Sequence, residues 1–587
     1  MKNIKLIIYM LGYIWKADKS GFAWGVIDLF WKIIPTTFNA LIYKFIIEAI
    51  TLKRPLSQVI FIVALYALVQ LINRVFGEYL YGNRFNRLSL NVKKYSNNLL
   101  LRKCAVLDME CYDDTKFYDM LSKALGQVNN RAMDVFYQVK RFSSNLIHFI
   151  VGLSIISTLD PLMIVVAFIA GIALFFMDFV FVKTRYQANE EMAPVNRKVD
   201  YFHGLMRDRK TVSDVKQYKG FDKFVMSKYN KAVDEQMSLS MKLAKKQTTH
   251  SFKSQTIVVV LLVLFPYVYL AIQCFRAIIS VADIPAMFNA FNLVVDGFSE
   301  SSREISNMKE SCLYIAYLKE VLDYKPKIEC STGHEIENIE KIEFENVSFK
   351  YPHSDSYILK GLSITIKKGQ KIAVVGVNGA GKTTFVKLLM RYYDPCEGRV
   401  LVNGIDLKEY NVNSLRDKMA TLLQEFQPYN LPIDEMIACS ETPDNSRVER
   451  VLKEVGLMEH VNASPKKIKS EYSKMFDEDG VVFSGGELQK LFIARMRYKD
   501  GEVYIMDEPS SALDPIAEYE INNLMMNIAK DKTVIMIAHR LSTVINTDCI
   551  LFIDNGKVLE MGSHKQLLEQ NGKYAQMFNL QAEQYQT

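Results

Sequence analysis

The sequence of 587 residues is short of several features that define whole classes of protein. Its eight cysteines are scattered and include no C-x-x-C pair, which argues against a zinc site and against a disulfide framework. Internal repeats and low-complexity tracts are absent. Residues 1–20 are mixed and charged and have no A-x-A-like site, so we expect no cleavable signal peptide. The cysteine pattern suits a protein exposed to a reducing cytosol.

A glycine-rich loop with the sequence GVNGAGKTT occupies residues 376–384 and matches the pattern G-x-x-x-x-G-K-[ST]. An apolar run before it predicts a buried strand, and the run after it predicts a helix. In that order, successive backbone N–H groups converge on phosphate oxygens at the positive end of the helix dipole. Lys382 would then reach the β- and γ-phosphates of a nucleotide, and the Thr383 hydroxyl would bind Mg²⁺. The predicted phosphate-binding residues are Gly376, Val377, Asn378, Gly379, Ala380, Gly381, Lys382, Thr383 and Thr384.

Two downstream runs favour a nucleotide site over the alternative, an ordinary glycine turn with a surface lysine. The apolar residues 503–506 are followed by the adjacent carboxylates Asp507 and Glu508, which suit a Mg²⁺ ligand and a group that polarises water. A similar run at residues 533–538 is followed by His539. Taken singly, a solvated acidic turn and a structural histidine would explain these residues. Their order along the chain, after the glycine-rich loop, favours a nucleotide site over these explanations.

The order of these motifs resembles that of the nucleotide-binding domain of an ABC transporter, from about residue 335 to residue 587. The stretch FSGGELQK at residues 483–490 resembles the signature loop of that family, which is usually written L-S-G-G-Q. The matching residues are Ser484, Gly485 and Gly486, and the departures are Phe483 and Glu487, where leucine and glutamine are usual. The resemblance implies that this loop caps the γ-phosphate of an ATP molecule held by a partner subunit. Two such chains would therefore face each other head to tail and enclose two ATP molecules.

The resemblance assigns further residues of the site. They are Tyr351 for stacking on the adenine ring, Thr383, Gln424 and Asp507 for Mg²⁺, Glu508 and His539 for hydrolysis, and Asp514 in the D-loop. Gln424 would also connect the Mg²⁺ site to the membrane domain, and His539 would be the switch histidine. ATP and Mg²⁺ are therefore the cofactors that the resemblance implies.

The first half of the chain is markedly apolar. Hydrophobic residues make up 49% of the sequence and the mean hydropathy is +0.02, values that are high for a chain whose second half resembles a charged soluble ATPase. Six runs are long enough to cross the hydrocarbon core of a membrane. These predicted helices are residues 22–50, 56–81, 135–159, 161–182, 257–279 and 284–307. Six such runs disfavour the alternative, which is buried helices of a soluble protein.

The lengths of the connections predict the orientation in the membrane. The connections at residues 82–133 and 183–251 are long, polar and rich in Lys and Arg, so we expect them in the cytoplasm. We therefore predict a multi-pass protein of the cell membrane, with its nucleotide-binding domain and both termini in the cytoplasm. This topology accounts for the formal net charge of +7 without a nucleic-acid partner.

The predicted fold is an α-helical six-span transmembrane domain followed by an α/β P-loop NTPase domain of the ABC type. We place the transmembrane domain at residues 1–325, a polar linker at residues 326–340 and the nucleotide-binding domain at residues 341–587. Short outer turns between long helices resemble the type IV exporter fold of the ABC family. That resemblance implies two short coupling helices in the cytoplasmic loops, with candidates at residues 115–121 and 211–218.

The leading functional hypothesis is an exporter that couples ATP hydrolysis to alternating access. A channel or regulatory membrane protein that uses ATP only as a ligand is the alternative, and Glu508 and His539 favour hydrolysis over it. The six apolar runs disfavour a third hypothesis, a soluble ABC ATPase that acts on nucleic acid or ribosomes. Fusion of the membrane and ATPase parts on one chain favours export by analogy. The expected partners are the lipid bilayer, a second half-transporter chain in a homodimer, with a heterodimer as the alternative, and a transported peptide, lipid or amphiphilic compound.

Overall fold

A computed structural model describes residues 2–260, 264–352, 354–423, 427–507, 515–538 and 541–583 of the chain. The chain folds into two compact units. The first unit comprises Met1–Ala105 and Asp119–Tyr324, and the second comprises Val106–Tyr118 and Lys325–Thr587. In the described residues the first unit is helical, whereas the second contains both sheets and helices. The second unit thus includes Val106–Tyr118, a segment that the predicted boundaries assign to the transmembrane domain.

The helices that precede the first strand follow the apolar runs of the sequence and extend beyond them. In chain order they are α1 (Lys2–Ala17), α2 (Lys19–Trp31), α3 (Ile33–Thr51), α4 (Leu56–Tyr79), α5 (Asn86–Cys104), α6 (Met109–Asp113), α7 (Thr115–Leu159), α8 (Leu162–Arg207), α9 (Arg209–Gln217), α10 (Phe221–Val259), α11 (Phe265–Phe275) and α12 (Asp283–Asp323). A π-helix at Leu80–Phe85 joins α4 to α5. Helices α7, α8 and α12 have 45, 46 and 41 residues, more than a membrane crossing requires.

Several of these helices are suited to a membrane. In the described residues, the helical stretches long and apolar enough to cross one are Lys19–Thr51, Leu56–Cys104 and Arg131–Leu159. The stretches Leu162–Phe176 and Phe265–Phe275 are apolar but shorter. Together these stretches overlap five of the six predicted runs, and the sixth run lies within α12.

The first predicted span, residues 22–50, is two helices rather than one. Helix α2 ends at Trp31 and α3 begins at Ile33, with a turn at Lys32 between them. Pro35 lies in the first turn of α3 and has no N–H group to donate to the carbonyl oxygen of Trp31. The proline therefore explains why the helix is interrupted at this point.

Helix α2 carries a buried carboxylate that is paired. Asp28 is 3% exposed, and its Oδ2 lies 2.5 Å from the Nζ of Lys140 on α7, which is also buried. The same Nζ donates a hydrogen bond of 3.1 Å to the hydroxyl of Tyr81. Because an isolated charge inside an apolar helix bundle is costly, this pairing allows two ionisable residues to lie there.

The position predicted for the first of the two short helices is wrong, and the coupling role of both stays a prediction. The short helix is α6, whereas residues 115–121, where we expected it, form the beginning of the long helix α7. Asp114 separates the two helices, because its backbone is extended and its Oδ1 accepts a hydrogen bond of 2.8 Å from the N–H of Lys116. This is the arrangement of a helix N-cap, which starts α7. The second short helix, predicted at residues 211–218, is confirmed as α9.

The second unit contains the strands and the remaining helices. The strands are β1 (Lys341–Phe349), β2 (Leu359–Lys367), β3 (Lys371–Val375), β4 (Glu397–Val402), β5 (Ile405–Asp406), β6 (Met419–Leu422), β7 (Val503–Asp507), β8 (Thr533–Ile537), β9 (Cys549–Asp554) and β10 (Lys557–Gly562). The helices are α13 (Lys382–Leu389), α14 (Val412–Asp417), α15 (Ile433–Ala438), α16 (Asn445–Glu454), α17 (Met458–Asn462), α18 (Gly485–Lys499), α19 (Pro515–Ile528), α20 (His564–Glu569) and α21 (Lys573–Glu583).

The described strands of this unit form two sheets. Strands β2, β1, β4 and β5 form an antiparallel sheet in that order. The other sheet has the order β10-β9-β3-β8-β7-β6, in which β10 is antiparallel to β9 and the remaining neighbours are parallel. Strands β7 and β8 are buried along their length and are apolar apart from Asp507 and Thr533 at their ends, as expected for a parallel sheet covered on both faces. The carboxyl ends of β3, β7 and β8 therefore meet at one edge, where such sheets place their ligands.

Apolar residues fill both faces of this parallel sheet. Alternate residues of each strand belong to two separate cores, because successive side chains of a strand point to opposite faces. One core contains Ala373, Tyr504 and Val534, and the other contains Ile372, Ile505 and Ile535. The sheet is thus fixed from both sides, and the loops at its edge extend from a rigid base.

Candidate nucleotide-binding site

The glycine-rich loop, residues 376–381, connects the central strand β3 to α13, so the predicted order of strand, loop and helix is confirmed. Gly376 has a φ of +151°, and a Cβ at this position would lie 2.0 Å from the carbonyl oxygen of Ile553 on β9. Gly381 has a φ of +105° and is the N-cap of α13. Glycine is the residue that adopts such conformations without strain, so the chain turns tightly into the N-terminus of the helix. Val377, Asn378 and Gly379 are exposed at the tip of the loop, and Ala380 is buried.

The first residues of α13 place three polar side chains beside this loop. Lys382 is 6% exposed, and its Nζ donates hydrogen bonds to the carbonyl oxygens of Gly376 at 2.9 Å and Val377 at 3.3 Å. Its ammonium group therefore lies against the loop that would surround a phosphate. Thr383 is exposed and Thr384 is buried, so the two hydroxyl groups have different surroundings.

The predicted Mg²⁺ ligands in the described residues are Thr383 and Asp507. Asp507 is the last residue of β7 and is 1% exposed. The Oγ1 of Thr383 donates a hydrogen bond of 3.3 Å to the Oδ2 of Asp507. A hydroxyl and a carboxylate oxygen are hard donors of the kind that Mg²⁺ prefers, so these two residues fit the ion. Gln424, the third predicted ligand, lies outside the described residues.

Tyr351, the residue predicted to stack on adenine, lies near the start of α13. Its hydroxyl forms a hydrogen bond of 3.1 Å with the Oγ1 of Thr384. Its ring makes edge-to-face contacts with Phe349 at 5.2 Å and Tyr393 at 5.4 Å, measured between ring centroids. The ammonium group of Lys387 lies 5.3 Å from the centre of the ring. Tyr351 is thus a half-buried aromatic residue beside the loop that is predicted to bind phosphates.

The predicted signature loop forms the N-terminus of α18. Ser484 is the N-cap of this helix and forms a reciprocal capping box with Glu487. Ser484 and Gly485 are exposed, and Gly486 is partly exposed. The first backbone N–H groups of a helix have no intrahelical partner, so this end of α18 can receive an anion.

Four predicted site residues lie outside the described residues: Gln424, Glu508, Asp514 and His539. The strands that precede Glu508 and His539 are β7 and β8, which are parallel neighbours. Strand β8 is in turn the parallel neighbour of β3. The three strands therefore end at the same edge of the sheet as the glycine-rich loop.

Comparison with known proteins identifies the family of the ATP-binding domain. The family profile described as "ABC transporter" matches residues 359–511, which include the glycine-rich loop and the signature loop. The subtilin transport ATP-binding protein SpaT of Bacillus subtilis is 26% identical over 558 residues, which are 93% of this chain and 89% of that protein. Residues 359–511 belong to the ABC transporter family. An ATP-dependent lipid A-core flippase of Burkholderia pseudomallei is 40% identical to the transporter over 245 residues, which are 41% of the transporter and 40% of the flippase.

The transporter has the fold of the ABC exporters. A structure of a bacterial Atm1-family ABC exporter with ATP bound matches it with a TM-score of 0.80, covering 96% of the transporter and 98% of the exporter at 22% identity. This likeness confirms the predicted fold class, a helical membrane region followed by an ATP-binding domain. The transporter is a multi-pass membrane protein and an ATP-driven exporter with ATP hydrolase activity.

Sequence reasoning missed a contact between the nucleotide site and the segment at Val106–Tyr118, which belongs to the same unit. Tyr393, which packs against Tyr351, donates a hydrogen bond through its hydroxyl to the Oδ2 of Asp113 in α6. Burial and the nearby carboxylate of Asp113 raise the pKa of Tyr393, so its hydroxyl remains protonated as a donor. In the same segment, Asp108 accepts hydrogen bonds from the backbone N–H groups of residues 327 and 328 at 2.8 and 3.2 Å. The adjacent residues Tyr392 and Tyr393 after α13 were the available signal in the sequence. Nothing in their spacing indicates a partner so far away along the chain.

Proposed function

We propose that two copies of this transporter hold two ATP molecules between their ATP-binding domains, and that closure of this pair around ATP drives export across the cell membrane. The observation that carries the proposal is the contact between the Oγ1 of Thr383 and the Oδ2 of Asp507. It joins the start of α13, which follows the glycine-rich loop, to the carboxyl end of β7 in the same sheet. A nucleoside triphosphate with its metal ion needs both groups at one place.

Each copy would supply one half of each site. The loop at residues 376–381 and Lys382 would surround the phosphates, and Tyr351 would stack on the adenine ring. Thr383, Gln424 and Asp507 would hold Mg²⁺, which neutralises charge on the phosphates when bound. Ser484, Gly485 and Gly486 of the second copy would cap the γ-phosphate, since small residues allow close approach of the backbone to an anion.

Hydrolysis would reset the pair. Glu508 would accept a proton from the attacking water and His539 would stabilise the γ-phosphate, with Asp514 at the contact between the copies. ATP can favour the closed pair only by binding it more tightly than the open pair. Loss of the γ-phosphate removes that difference, so the pair reopens.

The orientation follows from the charge of the long connections. We place the ATP-binding domain and both termini in the cytoplasm, because the Lys- and Arg-rich connections lie on the cytoplasmic side of membrane proteins. The exported substrate is a peptide, a lipid or another amphiphilic compound. Two relatives named above are a subtilin transport protein and a lipid A-core flippase, and both names describe cargo within these classes of compound.

The experiment is ATP hydrolysis and transport by the full chain reconstituted in lipid vesicles with Mg²⁺, across a panel of a peptide, a lipid and an amphiphilic drug. Lys382→Ala should abolish tight ATP binding, and Glu508→Gln should retain ATP but stop turnover, because glutamine keeps the shape and removes the base. Lys368→Ala is the matched control, since Lys368 is an exposed lysine of the same domain that pairs with Glu340 at 2.6 Å. Full hydrolysis by Glu508→Gln would contradict the assigned base. ATP-dependent ion conductance without vectorial transport would instead support the ligand-gated alternative.

A further inference from the structure

The two departures of the signature loop from its family pattern, Phe483 and Glu487, are connected in the structure by His460 of α17. The Nδ1 of His460 lies 2.9 Å from the Oε1 of Glu487. The ring of His460 stacks on the ring of Phe483, with centroids 5.3 Å apart and an interplanar angle of 26°. Phe483 stacks in turn on Tyr472, with centroids 6.0 Å apart. Glu487 thus contacts the imidazole of His460 through its carboxylate, and Phe483 stacks on the face of the same ring.

The same carboxylate holds the serine of the loop. The Oε2 of Glu487 accepts hydrogen bonds from the backbone N–H of Ser484 at 2.9 Å and from its hydroxyl at 2.8 Å. These bonds, aided by the nearby His460 and Lys490, lower the pKa of Glu487 despite its partial burial. Glu487 therefore stays ionised while it bridges His460 on one side and Ser484 on the other.

A carboxylate at this position creates an electrostatic difficulty that a glutamine would not. In the proposed function, Ser484 approaches the γ-phosphate of an ATP molecule, which is strongly negative. The negative charge of Glu487, which contacts Ser484, repels that phosphate when the closing subunits exclude water from the site. A cation or proton donor on the far oxygen of the carboxylate offsets this repulsion, and His460 is placed there.

We propose that His460 is a positioning residue of the signature loop: held against Phe483, it compensates the charge of Glu487 so that Ser484 can approach the phosphate of ATP. The inference rests on the proposed function, because it needs the loop to face a nucleotide. The side chains of His460 and Glu487 are 38% and 30% exposed, so the pair contributes little to the stability of the isolated domain. Its effect belongs to the ATP-bound state.

The test is the dependence of hydrolysis on ATP concentration, measured on the reconstituted full chain with Mg²⁺. His460→Gln should raise the half-saturating ATP concentration about fivefold to tenfold, a change that corresponds to about 1 to 1.4 kcal/mol. His460→Phe, which preserves the ring stacking on Phe483, should show the same increase. In a Glu487→Gln background, where no charge needs compensation, His460→Gln should change the half-saturating concentration by less than about twofold.

Two controls separate the possible outcomes. His334→Gln makes the same substitution at an exposed histidine whose hydrogen bonds come from its backbone, and it should match the wild type. Ser484→Ala tests the proposed function itself. If Ser484→Ala is harmless, the loop does not face ATP and the proposed function fails. If Ser484→Ala is harmful but His460→Gln is harmless, or is equally harmful in the wild-type and Glu487→Gln backgrounds, the positioning role of His460 is overturned.

Discussion

Gly376 offers a sharp test of how the backbone shapes the phosphate-binding loop. A Cβ at this position would lie 2.0 Å from the carbonyl oxygen of Ile553, whereas contacts shorter than 3.0 Å essentially do not occur. Because the obstacle is the backbone of the adjacent strand β9, no side chain can move aside, and the loop must shift by about 1 Å. A misplacement of that size can lower a catalytic rate by about 100-fold, and we expect a loss of ATP affinity of the same order, because the backbone N–H groups of the loop must converge on the phosphates. The φ of +151° adds about 1–2 kcal/mol of strain for a residue with a Cβ.

Gly376→Ala should therefore weaken ATP binding by about 100-fold, measured by equilibrium titration of the purified full chain with a fluorescent ATP analogue. Gly369→Ala is the matched control, because Gly369 has a φ of +76° in a turn of the same domain but its Cβ would meet no atom within 4 Å. This control should lose about 1 kcal/mol of stability and retain its affinity for ATP. Affinity of Gly376→Ala within about threefold of the wild type would refute the reasoning, as would an equal loss in both variants.

Two further outcomes follow from contacts near the site. Tyr393→Phe keeps the aromatic packing but removes the hydrogen bond to Asp113. The amount of substrate transported per ATP hydrolysed should therefore fall about threefold or more, while ATP affinity changes less than about twofold. An unchanged ratio of transport to hydrolysis would contradict this. Burial lowers the pKa of His564, whose Nδ1 is hydrogen-bonded to the hydroxyl of Tyr574 at 2.8 Å, so the unfolded chain binds a proton more readily than the folded one. The melting temperature should therefore decline as the pH falls below about 6.5, and His564→Phe should make this decline shallower; equal slopes would contradict the assignment.

The parts of the site that could be predicted are those encoded by neighbouring residues. The glycine-rich loop, the strand before it and the helix after it occupy one short stretch, so their motif predicts their geometry directly. The proximity of Thr383 and Asp507 could also be predicted. Thr383 lies just after β3 and its loop, Asp507 ends β7, and the carboxyl ends of these parallel strands lie at one edge of the sheet. The roles of these residues stay proposals, as do those of Gln424, Glu508 and His539.

The parts that could not be predicted depend on contacts between distant residues or on very short elements. Tyr393 and Asp113 lie 280 positions apart, and neither is part of a motif. Helix α6 has five residues, too few for a hydrophobic periodicity to mark its ends. The interruption at Lys32 was visible in principle, because Pro35 lies three residues later, but a long apolar run obscures such a break when the spans are assigned by hydropathy. His460 has no motif of its own and gains a partner in Glu487 only through the fold.

The most direct test of the shared ATP sites uses a mixed dimer. One copy carries Lys382→Ala, the other carries Ser484→Ala, both carry Glu508→Gln to retain ATP, and two different affinity tags allow the mixed dimer to be purified. If each site combines Lys382 of one copy with Ser484 of the other, both defects fall in one site and the second site is intact. The mixed dimer should then retain one tightly bound ATP, while dimers of either variant alone retain none. A mixed dimer that retains no ATP, like the two parent dimers, would contradict sites shared between the two chains.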